Sequence, residues 1–225
     1  MTNQYIRIAI PSTSSYDRAR FYNIDIHRFP SVTTILDVIS KPALGPWYAK
    51  MERQAFESAI LEICARADSI TTLNLLDEIV KCVQGAKAAD KQKSKAADIG
   101  TAAHAWIEWE TKRRLGKDIG PEPKIPDEST IAIMAWQDWA KAVDFRPLRS
   151  EIVVHSMTHG YAGTADWIAY VNGVVTLGDY KTSKAIYPES YLQNVAYRAA
   201  AQEMGAASIR RGLILRLPKT LEDPA

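Results

Sequence analysis

The sequence predicts an α/β protein with a mixed central sheet flanked by helices, plus an N-terminal helical insertion. Three observations carry this. Residues 151–155, 161–171 and 174–182 are rich in Val, Ile, Tyr and Thr and read as strands. Asn172-Gly173 falls between the last two, and Asn-Gly between strand-like runs is the strongest short-range hairpin signal. Helical patterns precede and follow these runs, and residues 211–217 read as one more strand. Tight turns make the first three strands antiparallel, whereas the last needs a helical crossover, so the sheet is mixed.

Element by element, residues 5–10 alternate weakly as a strand, and 11–15 are turn-like. Ser31 stands where an N-cap would for a helix over 32–36, which Lys41-Pro42 ends. From Trp47 to about Gln84, apolar residues such as Ile60, Ile63, Leu75, Leu76 and Ile79 recur at helical spacing. The lysine-rich run 87–95 reads as a solvated helix face or a loop. Residues 96–115 form a helix, 116–126 a Gly/Pro-rich loop, and 129–143 a helix carrying Trp136 and Trp139. Pro188 sits near the start of a last helix, running to about Met204. The chain therefore divides into an N-terminal strand and helical subdomain, 1–95, and a core, 96–225.

Composition narrows the function classes only a little. The 225 residues are 47% hydrophobic and 24% charged, ordinary for a globular protein. A net charge of +2 permits a nucleic-acid partner without demanding one. The two cysteines, Cys64 and Cys82, lie far from any His or Cys at metal-ligand spacing. They cannot build a four-cysteine cluster, and are expected to be buried or half-buried thiols in a reducing compartment. No long apolar run or basic N-terminal start is present, so neither a signal peptide nor a membrane span is expected, and a cytoplasmic location is.

The hairpin carries the chemistry. A two-residue type I′ turn at Asn172-Gly173 sets Val171 against Val174 and, further along, Asp166 against Asp179. Lys181, two residues beyond Asp179, shares its face. Opposed carboxylates repel unless a cation lies between them or one is protonated. Hard oxygen donors at that spacing suit Mg²⁺ or Mn²⁺. The alternative is a surface hairpin with both acids solvated. With a two-residue turn at Thr158-His159, Glu151 also falls opposite Asp166, although one residue more or less would move it to the other face. His104 and Glu108 share one helix face, as do Gln193 and Tyr197. Such pairs are common as packing or surface decoration, and become functional only if they meet the hairpin.

Taken together, Gly100-Thr101-Ala102-Ala103-His104, Gly163-Thr164-Ala165-Asp166, Asp179-Tyr180-Lys181-Thr182-Ser183 and Gln193-x-x-x-Tyr197 follow the order found in the RecB-like branch of the PD-(D/E)XK nucleases. The chain resembles that branch from about residue 30 to 217. Glu151 matches an acidic position that the branch often shows one strand earlier. Ser31–Leu36, with Trp47 after it, is similar to the N-terminal part of the mitochondrial genome-maintenance exonucleases and their phage-type relatives. The resemblance implies a restriction-endonuclease-like core, with His104, Asp166 and Asp179 as metal ligands and the Tyr180 carbonyl as a fourth. It also implies a catalytic Lys181, supported by Gln193 and Tyr197, and gives Glu108 a looser counterpart. The cysteines of the iron–sulfur subfamilies are absent, as are helicase motifs.

The expected activity is metal-dependent hydrolysis of DNA phosphodiesters, foremost as an exonuclease on DNA with a free or single-stranded end, in repair or recombination. A phage origin is compatible with it. A structure-specific endonuclease on the same fold and a non-catalytic DNA-binding protein are the alternatives. The lysine-bearing stretch 47–95 could admit a single strand, and Trp47, Tyr48, Trp106 and Trp109 could stack on bases, with most of these tryptophans expected in the core.

Overall fold

The computed structural model describes residues 7–9, 19–39, 44–65, 77, 79, 88–206 and 208–220. The chain folds into two compact units, one of residues 1–39 with 99–225 and one of residues 40–98. The N-terminal residues thus group with the sheet-bearing unit, a different division from the 1–95 and 96–225 expected.

The second unit contains α2, Leu44–Ala65. Met51, Ala59 and Ile63 are its buried positions. Cys64, next to Ile63 and turned about 100° around the helix, is exposed. That corrects the expectation of a buried thiol; Cys82 lies outside the described residues. The expected helix beyond Ala65, with Leu75 and Leu76, also lies largely outside them.

The first unit opens with a small antiparallel sheet of β1 (Arg7–Ala9), β2 (Arg20–Ile24) and β3 (His27–Pro30). The β2–β3 hairpin is hard to foresee from sequence because its turn contains no glycine. Asp25 takes the left-handed conformation there, φ 51°, which Asp tolerates better than most residues. Ser31 then caps α1 (Val32–Leu36) as expected, its Oγ accepting a 3.0 Å hydrogen bond from the Thr34 N–H.

The long helix α3 runs Ala88–Arg114, two turns earlier than expected at its start. The Ala-, Lys-, Asp- and Gln-bearing run before residue 96 contains no helix breaker, so the helix extends back through it. α4 is Thr130–Ala142. A four-stranded sheet follows in the order β4 (Phe145–Ser156), β5 (Tyr161–Val171), β6 (Val174–Lys181), β7 (Arg211–Arg216), with α5 (Pro188–Glu203) between β6 and β7. The first two pairings are antiparallel and β6–β7 is parallel. The fold is therefore α/β with a mixed four-stranded sheet flanked by helices, as the sequence predicts.

Each sheet face has its own core. On one, Ala103, Trp106 and Ile107 of α3 and Ala132, Ile133 and Trp136 of α4 pack with Trp167 and Tyr180. On the other, Val32 of α1 and Tyr197, Ala200 and Ala201 of α5 pack with Ile168 and Leu177. Trp106 is only 7% exposed and donates its indole N–H to Glu122 at 2.5 Å. It is a core residue, which removes it from the candidate stacking surface. Among the described residues, no helix is long and apolar enough to cross a membrane.

Candidate metal centre

The hairpin turn is of the expected type, with positive φ at both Asn172 (50°) and Gly173 (77°). Its register follows: Val171↔Val174, Tyr170↔Val175, and onward to Trp167↔Gly178. Extended by one rung, it sets Asp166 against Asp179, but the ladder stops one rung short of that pair. The β4–β5 ladder skips Asp166 as well, passing from Ser150↔Trp167 to Ile152↔Ala165. That hairpin has a four-residue loop between Ser156 and Tyr161 rather than a two-residue turn. The register is unchanged by the longer loop, so Glu151 stands opposite Asp166.

Glu151 holds the left-handed conformation, φ 52°, in the middle of its strand. A non-glycine residue there carries strain of about 1–3 kcal/mol, and such strain gathers at functional sites. With both ladders interrupted, β5 is distorted at Asp166. Side-chain alternation breaks there: Ala165 and Ile168 pack on the same face of the sheet, Trp167 on the other. The Asp166 carboxylate takes over a backbone role, its Oδ2 accepting the Tyr180 N–H at 2.7 Å.

Seven predicted residues thus come together around the end of β6: His104, Asp166, Asp179, Tyr180, Lys181, Gln193 and Tyr197. His104 Nδ1 lies 3.9 Å from Asp166 Oδ2. The His104 ring stands edge-on to Tyr180, with centroids 5.8 Å apart and planes at 90°. Tyr180 is fixed from below by Trp136, whose indole N–H donates to Tyr180 Oη at 3.0 Å. No sequence motif announces that bond. Lys181 Nζ lies 2.6 Å from Asp179 Oδ2. This ion pair is the contact that offsets the charge of the buried Asp179 carboxylate. Lys181 Nζ also donates to Gln193 Oε1 at 2.9 Å, and Gln193 Nε2 donates to Tyr197 Oη at 2.9 Å. This chain of bonds aims the ammonium from α5.

Electrostatics match the crowding. The Asp179 carboxylate is only 4% exposed and that of Asp166 17%. Burial raises both carboxyl pKa values well above the usual range; the Asp166 charge adds to the rise at Asp179, and the Tyr180 N–H offsets part of it at Asp166. Burial also lowers the His104 pKa, which keeps the imidazole neutral near pH 7 and its lone pair available for a metal. Glu108 is paired with Lys112 one turn along α3. Glu151 is exposed, which places it at the rim rather than among the buried groups.

Two buried carboxylates and a neutral imidazole form a donor set that fits Mg²⁺ or Mn²⁺. Among the described residues, no three His, Cys, Asp or Glu side chains are already drawn around one point. Lys181 supplies the counter-charge to Asp179 here.

Two glycines of the sequence motifs acquire a physical reason. A Cβ at Gly163 would overlap the Tyr197 ring. A Cβ at Gly100 would come 2.5 Å from Thr182 Oγ1. Both admit a neighbour of the site. Gly163→Ala is accordingly expected to lower stability by about 1–3 kcal/mol, the cost of overpacking, and to reduce cleavage by displacing Tyr197 and with it Gln193. Thermal melts and single-turnover rates on the variant check this; an unchanged melting temperature would mean that Tyr197 has another place to go.

Compared with known proteins, the chain matches no family model and no curated protein.

Proposed function

We propose that this chain is a divalent-metal-dependent deoxyribonuclease of the PD-(D/E)XK superfamily, RecB-like in its motifs and built on a restriction-endonuclease-like core. It would act foremost as an exonuclease on DNA with a free or single-stranded end. The observation that carries the proposal is the convergence of buried Asp166 and Asp179 with Lys181 and His104 at the end of β6.

Asp166, Asp179, His104 and the Tyr180 carbonyl are the groups that would hold Mg²⁺ or Mn²⁺; such an ion, when bound, lowers the pKa of its water and neutralises charge on the phosphate. The chain's own residues do the positioning. The Tyr180 N–H fixes Asp166, and the edge of Tyr180 limits how His104 can turn. Lys181, held by Gln193 and Tyr197, presents a cation where negative charge grows on the non-bridging oxygens. Glu151 at the rim could order a water. Because these groups are largely buried, their electrostatic work is done with little screening.

A plasmid digest, supercoiled and linearised, with Mg²⁺ or EDTA tests the proposal. Loss of linear DNA alone is the expected result. Nicking of circles would mean an endonuclease on the same fold, and DNA binding without digestion a non-catalytic protein. Mn²⁺ should replace Mg²⁺, whereas Ca²⁺, with its looser geometry, should bind without supporting cleavage. Full activity in EDTA would reject the metal.

A further inference from the structure

We infer that the DNA strand reaches this site across the carboxyl ends of β6 and β7, with Lys184, Arg216 and Lys219 as backbone-phosphate contacts, an inference that rests on the nuclease proposal. The problem these residues answer is electrostatic. Asp166 and Asp179 gather negative charge in one place, with Glu108 close enough to act on Asp166, and a polyanion approaching it is repelled. Cations close to the site must compensate.

β6 and β7 are parallel, so both end at the same edge of the sheet, with Lys181 and Arg216 as register partners. In α/β sheets the carboxyl ends of parallel strands are where ligands collect. The Leu217 N–H donates to the Lys181 carbonyl at 2.8 Å, carrying the pairing one residue past β7. Lys219 follows two residues later, and its charge is close enough to bear on His104. Arg216 Nη1 donates to the Lys184 carbonyl at 3.4 Å, tying the segment after β6 to the end of β7. That segment begins at Thr182, seated against Gly100 of α3. Lys184 is exposed, and Arg216 and Lys219 are half-buried. The three cations come from two stretches of chain, the segment after β6 and the end of β7 with the residues that follow it, at one edge of the sheet. Several cations at one edge suit a phosphate backbone better than a single phosphate. None of the three belongs to the lysine-rich run before residue 96 that stands out in the sequence.

Fluorescence polarisation with labelled single-stranded and duplex oligonucleotides, in Ca²⁺ over a salt series, tests this on the full chain. Lys184→Ala and Lys219→Ala should each weaken binding irrespective of base sequence and flatten the slope of log K against log salt by about 0.7 for single strands and 0.9 for duplex. The double variant should lose about twice that, and Lys219→Arg should restore most of it. In Mg²⁺ the double variant should raise KM with kcat within about twofold, because these residues bind without acting on the reacting atoms. Lys141→Ala, on the exposed surface of α4 and paired with Asp138, is the control and should change neither. If wild type binds DNA but the double variant keeps its salt slope and KM, the strand enters elsewhere and the nuclease proposal survives. If wild type binds no DNA in any salt, both fall.

Discussion

Lys181→Ala should reduce single-turnover cleavage by about 10²–10³-fold, the usual cost of removing one preorganised electrostatic donor from a transition state. DNA binding in Ca²⁺ should change by only a few-fold. Lys181 touches both Asp179 and Gln193, so the substitution removes a cation yet leaves every proposed metal donor in place. Asp166→Ala and Asp179→Ala should abolish cleavage and weaken metal binding too, since each deletes a donor. That separation of effects identifies the role of Lys181: a loss in kcat without a loss in metal affinity marks a group that acts on the developing charge. Gln193→Ala should cost less, about 10–100-fold, because it removes only the group that orients Lys181. Lys181→Arg should not restore activity, since a planar guanidinium cannot take the ammonium's place between Asp179 and Gln193. Wild-type turnover in Lys181→Ala would end this mechanism.

The parts of the molecule that follow from local rules were legible in the sequence. Asn172-Gly173 fixed the β5–β6 register because a type I′ turn admits few alternatives, and the Ser31 cap announced α1 for the same kind of reason. Helix, three strands, helix, strand was readable from periodicity. Hidden were the features that depend on contacts between distant elements. That Asp166 drops out of both ladders depends on Glu151 leaving extended geometry on a neighbouring strand, and nothing in the Glu151 sequence context marks a positive φ. The Trp136–Tyr180 bond joins residues 44 apart in the chain. Lys219 belongs to no motif, and only the pairing of Leu217 with Lys181 brings it near His104. Gly163 was visible as a motif residue, but its reason, the Tyr197 ring lying over it, was not.

The strain stored between the two aspartates should be measurable without any substrate. Burial, joined at Asp179 by the charge of Asp166, raises the carboxyl pKa values of the pair from 3.8 to about 6 in the folded protein. Between these values the native state binds more protons than the unfolded chain, so stability falls as pH rises through that window. His104 works in the opposite sense. Its folded pKa lies below 6.5, so the unfolded chain takes up the extra proton and stability rises as pH approaches 6.5. Glu203, held at about 2 by the Ser156 hydroxyl and Thr158, adds stability above 4.5 that is lost only at lower pH. The difference between Asp179→Asn and wild type in EDTA removes most of these other terms. It should be near zero below pH 3.8 and grow to a plateau on the order of 1–3 kcal/mol in favour of the variant above pH 6, since one pKa unit is worth about 1.4 kcal/mol. Mg²⁺ should then reverse the order. At a hundredfold excess over its dissociation constant it adds about 2.7 kcal/mol to a native state that alone binds it. For a chain of this size that raises the wild-type melting temperature by about 5–10 °C. The Asn variant, with one carboxylate fewer, should gain little. Differential scanning fluorimetry of both proteins from about pH 3.5 to 7.5, in EDTA and in Mg²⁺, gives all four curves. An Asp179→Asn protein that melts below wild type at pH 7.5 in EDTA, and still gains the full Mg²⁺ shift, would show that the two carboxylates do not share a metal.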